Sequence, residues 1–177
     1  MRHHDRPGHN PGGLRLRDAN VADLPVINEI YNHYVLHSTC TYQTEPVTAE
    51  QRAAWFAEHG PRHPVIVAEL DGRVAGWGSL SRFHPRRAYE HTVEDSVYLH
   101  PEKRGRGLGT ALLEELVARA RRLGHHTVIA VISADQPASI ALHRKLGFVE
   151  AARLREVGFK FGRWLDVVWM QRLMVDA

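Results

Sequence analysis

The chain predicts an α/β (α+β) fold, a mixed sheet covered by helices on both faces. Three observations carry that reading. An apolar strand, Val97-Tyr98-Leu99, passes through a basic, glycine-spaced turn into a helix with Leu108, Ala111, Leu112, Glu115 and Leu116 at helical spacing. Two apolar stretches, 64–70 and 74–80, flank Asp71-Gly72, a two-residue hairpin signal. Residues 127–132, rich in β-branched side chains, read as a buried strand between two helical segments.

The elements follow in order. Residues 1–13 are polar and rich in Gly, Pro and His, and read as a disordered tail. Leu14-Arg15-Leu16-Arg17 alternates like a first strand. Asn20 suits the cap of a helix carrying Leu24, Ile27, Ile30, Tyr31 and Tyr34 on one face. A loop through Cys40, Tyr42 and Pro46 leads to Thr48-Ala49-Glu50-Gln51, a capping box that opens a second helix through Phe56. The hairpin comes next, then a basic loop from Arg82 to Arg87 and the strand that ends in the glycine turn. The main helix stops at Gly124, the buried strand follows, and a short helix covers about 137–146. Two last strands are expected at about 148–157 and 165–174, joined by a turn around Gly158–Gly162.

Composition bounds the function. With 177 residues the chain suits one domain, 14–177, and is too short for two ordinary ones. The formal net charge of +3 is too mild to argue for nucleic acid. No apolar run is long enough to cross a bilayer, no signal peptide is visible, and one cysteine excludes an internal disulfide, so a cytoplasmic location and no membrane partner are expected. Thirteen histidines invite a metal, but no HExxH, HxH or Cys/His spacing supports one, and none is expected.

The glycine turn is a device for an anion. The first turn of a helix has unpaired N–H groups and the positive end of the dipole, and glycines let the backbone approach. Lys103, Arg104 and Arg106 add positive charge around Gly105, Gly107 and Gly109. A nucleotide-triphosphate loop is excluded, because no Lys-Ser or Lys-Thr follows the glycines. A dinucleotide loop is disfavoured by the GxGxG spacing and the mid-chain position.

Arg104-x-x-Gly107-x-Gly109 resembles the pyrophosphate loop of the GNAT acetyltransferase superfamily. Residues 136–148, QPASIALHRKLGF, resemble that superfamily's later motif, with Gln136 where Asn is usual and His143 where Tyr is usual. The resemblance implies a GNAT fold, a mostly antiparallel mixed sheet in which two parallel strands splay apart to admit acetyl-CoA. It implies cofactor contacts from Val97, Tyr98, Leu99, Arg104, Gly105, Arg106, Gly107, Leu108, Gly109, Thr110, Gln136 and Ser139.

Within the superfamily the chain resembles the phosphinothricin, methionine sulfoximine and methionine sulfone acetyltransferases, through Asn32-His33-Tyr34, Thr44-Glu45-Pro46, Thr92-Val93-Glu94, Leu142-His143 and Trp164-x-Asp166-Val167 among others. That group implies a small amino-acid-type amine as acceptor, Glu94 as base, His143 at the reaction centre, and a homodimer. It implies a pocket built from Tyr42, Arg86, Tyr89, Ser96 and Tyr98. Either Arg86 or Arg87 can hold an anionic oxygen bidentately.

Acetyl transfer to an amine needs a base, an oxyanion donor and an acid for the thiolate, and no covalent enzyme intermediate. Glu94 and Asp95 point to opposite faces of a regular strand, so one of them faces the pocket. Spacing alone leaves Glu94 open to a structural salt bridge, and His143 open to an ordinary solvated role. The oxyanion donor is expected to be a main-chain N–H near Val97–Leu99. Cys40 has no neighbouring base and reads as packing or pocket lining. Other readings are a protein N-terminus or lysine as acceptor, an acyl-CoA sensor without chemistry, or nucleic-acid binding through the basic turns.

Overall fold

A computed structural model describes residues 13–174. The expected tail at 1–13 lies, except for Gly13, outside the described residues. Seven strands form one sheet: β1 (Leu14–Asp18), β2 (Val65–Leu70), β3 (Arg73–Arg82), β4 (Thr92–Leu99), β5 (Thr127–Ser133), β6 (Val149–Lys160) and β7 (Arg163–Leu173). Their order across the sheet is β1-β2-β3-β4-β5-β7-β6. Every neighbouring pair is antiparallel except β4 and β5, which are parallel. The four helices are α1 (Leu24–His37), α2 (Ala49–Ala57), α3 (Leu108–Arg122) and α4 (Pro137–Lys145).

Strand alternation sorts the side chains into two cores. On β2, Ile66 and Ala68 face one core with Leu112, Leu113, Leu116 and Val117 of α3. Val65 and Val67 face the other, with Leu24, Ile27, Ile30 and Tyr34. Helices therefore cover both faces, as the sequence predicts. Asn20 is a cap, but of a short 3-10 turn, Val21–Asp23, that leads into α1; Asp23 completes the capping box and pairs with Arg17. Thr48 and Gln51 form the expected capping box on α2.

The last hairpin differs from the sequence reading. β6 runs through Gly158 to Lys160, and the turn is the pair Phe161-Gly162, with φ of 52° and 72°. Gly158 is a strand residue because the Tyr42 ring lies against it. A Cβ there would sit 2.3 Å from Tyr42 Cε2. Glycine thus marks a close approach here rather than a bend.

The feature that positions the site is the short reach of the parallel pairing. β4 and β5 are in register only at Thr92–Thr127, Val93–Val128 and Glu94–Ile129. Beyond Glu94 the strands diverge, while each keeps its partner on the far side: β3 for β4, β7 for β5. Residues 95–99 and 130–133 therefore turn unpaired strand edges towards a common gap.

Candidate active site

A cavity of about 730 Å³ fills that gap, within the range of small-molecule sites. Its floor is the splayed backbone of β4 and β5. One end opens on the glycine turn, where Arg104, Gly105 and Gly109 line it. Gly107 is the N-cap of α3, with φ of 77° and no side chain to satisfy the helix. The first-turn N–H groups have no intrahelical acceptor. A Cβ at Gly105 or Gly107 would meet nothing within 4 Å. The turn thus leaves open space beside main-chain donors and a helix dipole, which suits an anion. Arg104 is anchored: its Nε donates to the Tyr34 hydroxyl at 3.1 Å and its guanidinium lies 5.0 Å from the Tyr34 ring centroid. Tyr34 in turn donates to the Leu99 carbonyl at 2.5 Å, tying α1 to the end of β4.

Glu94 lies at the last paired position of β4 and lines the cavity. Among the described residues no hydrogen bond or ion pair engages its carboxylate. Burial, and then the neighbouring Asp95 charge, push its pKa above the usual carboxylate value. Ser96 and Tyr98 share its face of the strand, so the expected alternation places these three residues together.

Asp95 points the other way. It is buried, and its Oδ2 accepts from His143 Nε2 at 3.0 Å. His143 Nδ1 lies 2.7 Å from the Ser139 carbonyl. A carbonyl can only accept, so Nδ1 carries a proton. Nε2 faces the Asp95 carboxylate, a pairing that favours the imidazolium form of the ring. Burial acts to lower the His143 pKa, but the hydrogen bond and charge of Asp95 overcome it and hold the pKa above the free value. Sequence explains the ring's placement. Gly147 takes φ of 82°, which ends the segment and returns Phe148 beneath the helix. Phe148 is fully buried and meets the His143 ring edge-on, 5.0 Å between centroids.

The remaining expected residues divide. Val97, Tyr98, Leu99, Ser139, Gln136 and Tyr42 line the cavity. Gln136 Nε2 donates to Thr39 Oγ1 at 3.0 Å, so its amide is held in a network with Asp135. The Tyr42 hydroxyl donates to the Asp166 carbonyl at 2.9 Å, which gives the hydroxyl end of the ring a partner. Arg106, Gly107, Leu108 and Thr110 lie on the turn and first helical turn but not in the cavity wall, and Leu108 is buried in the core. Arg86, Arg87 and Tyr89 also lie outside the wall. All three are exposed, Arg87 lies 4.0 Å from Glu90, and Tyr89 packs on Phe83 and His84. Cys40 lines the cavity, but burial pushes its thiol pKa up, which leaves a poor nucleophile. Among the described residues no group of three or more His, Cys, Asp or Glu is placed to hold a metal.

Several wall residues escape sequence reading, and two of them, Asp95 and Arg52, carry charge. Asp95 was readable only as the partner of an alternating pair. Arg52 had a usable signal: with Trp55 and Phe56 it forms an i, i+3, i+4 stripe on α2, the face that packs inward.

Comparison with known proteins agrees with this geometry. The model of the acetyltransferase (GNAT) family matches residues 27–148. The chain is 43% identical over 159 residues to the L-amino acid N-acyltransferase MnaT of Escherichia coli, covering 89% of this chain and 92% of the relative. It is 43% identical over 159 residues to the L-methionine sulfoximine/L-methionine sulfone acetyltransferase of Salmonella typhimurium, covering 89% and 93%. It superposes with a TM-score of 0.88 on the GNAT phosphinothricin acetyltransferase of Sinorhizobium meliloti in complex with acetyl-CoA, at 47% identity, covering 90% of this chain and 88% of that one. The splayed strand pair, the uncapped glycine turn and these matches lead to one conclusion: the chain belongs to the GNAT family of acetyltransferases.

Proposed function

We propose that the protein transfers an acetyl group from acetyl-CoA to the α-amine of a small amino-acid analogue of the phosphinothricin, methionine sulfoximine or methionine sulfone type. The carrying observation is the gap between β4 and β5, with anion-binding geometry at one end and the unpaired Glu94 carboxylate beside it. Relatives that act on these amino acids, and one solved with acetyl-CoA, support the same reading.

In this reading the pyrophosphate rests on the glycine turn, and the pantetheine arm adds a strand-like partner to the open edges of β4 and β5. Glu94, above its usual pKa, takes the proton of the acceptor ammonium, directly or through a water. The freed nitrogen lone pair attacks the thioester carbonyl carbon. A main-chain N–H of residues 97–99 stabilises the oxyanion, at no cost in reorganisation. The C–S bond breaks as the N–C bond is kept, the nitrogen gives up its second proton and the departing thiolate takes one up; His143, its two ring nitrogens held by Asp95 and the Ser139 carbonyl, steadies the thiolate with its charge. The aromatic lining of the cavity favours a free amino acid over a peptide.

The test is free-thiol release from acetyl-CoA with a panel of amines. Phosphinothricin and the two methionine derivatives are expected to be acetylated far faster than a peptide N-terminus or a lysine side chain. Gly107→Val is expected to raise the acetyl-CoA Kd at least tenfold by calorimetry, because a branched side chain enters the anion space and cannot hold a positive φ without strain. Unchanged acetyl-CoA affinity in that variant would remove the turn from the site.

The reading includes a homodimer, a cytoplasmic location and a detoxifying, resistance-type role. Support for a dimer lies on the last hairpin. β6 is an edge strand, and Val149, Val157, Phe159, Phe161 and Trp164 are all exposed on it or beside it. Light scattering is expected to give twice the chain mass, and Trp164→Glu with Phe159→Glu a single one; a wild-type monomer would contradict it.

A further inference from the structure

Among the described residues Arg52 is a buried cation without a counter-charge. It is 4% exposed and lines the cavity. Its guanidinium lies 4.7 Å from the ring centroid of Tyr31, 4.6 Å from Trp55 and 5.6 Å from Trp77. Its one side-chain hydrogen bond is from Nε to Asn28 Oδ1, at 3.1 Å. Among the described residues no carboxylate pairs with it and no acceptor takes its Nη groups.

Burial lowers its pKa from the usual arginine value, but an arginine stays protonated in proteins. A lone buried charge is costly unless it meets an opposite one. The ring stack offsets part of that cost and fixes the plane of the guanidinium fork. Its neighbours repeat the imbalance. Trp77 Nε1 and Ser79 Oγ are sealed in the same wall without hydrogen-bond partners. The Arg52 Nη groups and Trp77 Nε1 are N–H donors without acceptors among the described residues, while the Ser79 hydroxyl can serve either way.

The position sets which part of an acceptor would reach it. Trp77 and Tyr31 both pack on Tyr98, at 5.0 and 5.2 Å between centroids, so Arg52 belongs to the Tyr98 end of β4. Glu94 is four residues earlier on the same face, about 13 Å along an extended strand. An α-carboxylate lies too near its own amine to span that separation. A head group carried several bonds away can approach it.

We propose that Arg52 is a specificity-determining residue that receives the oxygen-bearing head of the acceptor amino acid distal to its amine, and that the best ligand is an anionic head. The inference rests on the acetyltransferase reading above. It assigns the head-group contact to α2 rather than to the exposed arginines of the 82–87 loop. The planar fork binds two oxygens of one tetrahedral centre, and the charge favours phosphinate over sulfone.

The probes are L-phosphinothricin and L-methionine sulfone. They share one carbon frame and differ in the charge on the head. In the wild type phosphinothricin is expected to have the higher kcat/KM. In Arg52→Met the phosphinothricin-to-sulfone ratio is expected to fall about 10–100-fold, through acceptor KM, with the acetyl-CoA KM unchanged. Arg52→Lys keeps the charge without the fork, so it should retain a ratio between those two. A ratio identical in the wild type and Arg52→Met overturns the proposal and leaves Arg52 a packing residue. So does a ratio that collapses in Arg86→Gln instead. Should Arg52→Met fail to fold, the wild-type ratio decides: a value at or below one overturns the assignment. Failure of the acetyltransferase reading is seen separately, as no thiol release from the wild type with either acceptor, and it takes this inference with it.

Discussion

Glu94→Gln is expected to lower turnover about 10²–10⁴-fold, the usual contribution of general-base assistance, while leaving the acetyl-CoA Kd near the wild-type value. The loss should shrink as pH rises, because the acceptor amine then deprotonates unaided. The same change should stabilise the fold at neutral pH. Burial and the adjacent Asp95 raise the Glu94 pKa above its unfolded value. A raised carboxylate pKa means that ionisation costs more in the native state than in the unfolded one. That penalty is absent below the unfolded pKa, grows as pH rises through the folded pKa, and persists above it. Thermal melts should therefore show a higher Tm for the variant at pH 8 and no advantage at pH 4. A lower Tm at pH 8 would mean that Glu94 serves the fold. A turnover loss that does not vary with pH would remove it as base.

Asp95→Asn acts on the other face of the strand, through His143. An asparagine oxygen still accepts the Nε2–H, so the geometry survives and the charge goes. Loss of an opposite charge at hydrogen-bond distance typically moves a pKa by about 1–3 units, here downward for His143. The alkaline limb of the kcat profile should move to lower pH by about that amount. Above pH 8 this becomes a turnover loss of about 10–1000-fold, at about 1.4 kcal/mol per unit. Stability follows the sign of the histidine shift. The native pKa is raised, so the pair's contribution is full below the free imidazole value and is lost as pH rises through the folded one. The Tm deficit of Asp95→Asn should be larger at pH 6 than at pH 9. A turnover loss with an unmoved limb would make Asp95 structural only. His143→Ala in the Asp95→Asn background should add little at pH 9, because the pair acts as one unit.

The sequence by itself determined the local devices. Apolar alternation located the strands, the Thr48–Gln51 box opened α2, and the glycine spacing at 105–109 located the anion turn. Each of these is written in residues a few positions apart, because it depends on backbone geometry and short-range hydrogen bonds. The last hairpin departs from the local pattern at Gly158, since a glycine that admits a distant ring looks the same in sequence as one that makes a turn.

Only the tertiary structure decided what meets across the cavity. The pairing of Asp95 with His143 spans 48 positions, and no local pattern encodes which acid a histidine will find. The extent of β4–β5 pairing, three residue pairs before the strands part, depends on what β3 and β7 hold from outside. The choice between arginines is of the same kind. Arg86 and Arg87 look like anion binders in a basic loop, yet both are exposed outside the cavity wall. Arg52, inside a helix, is carried under the sheet by Trp55 and enclosed by Tyr31 and Trp77. Burial without a counter-charge among the described residues, a property of the folded chain alone, is what sets Arg52 apart from the two loop arginines.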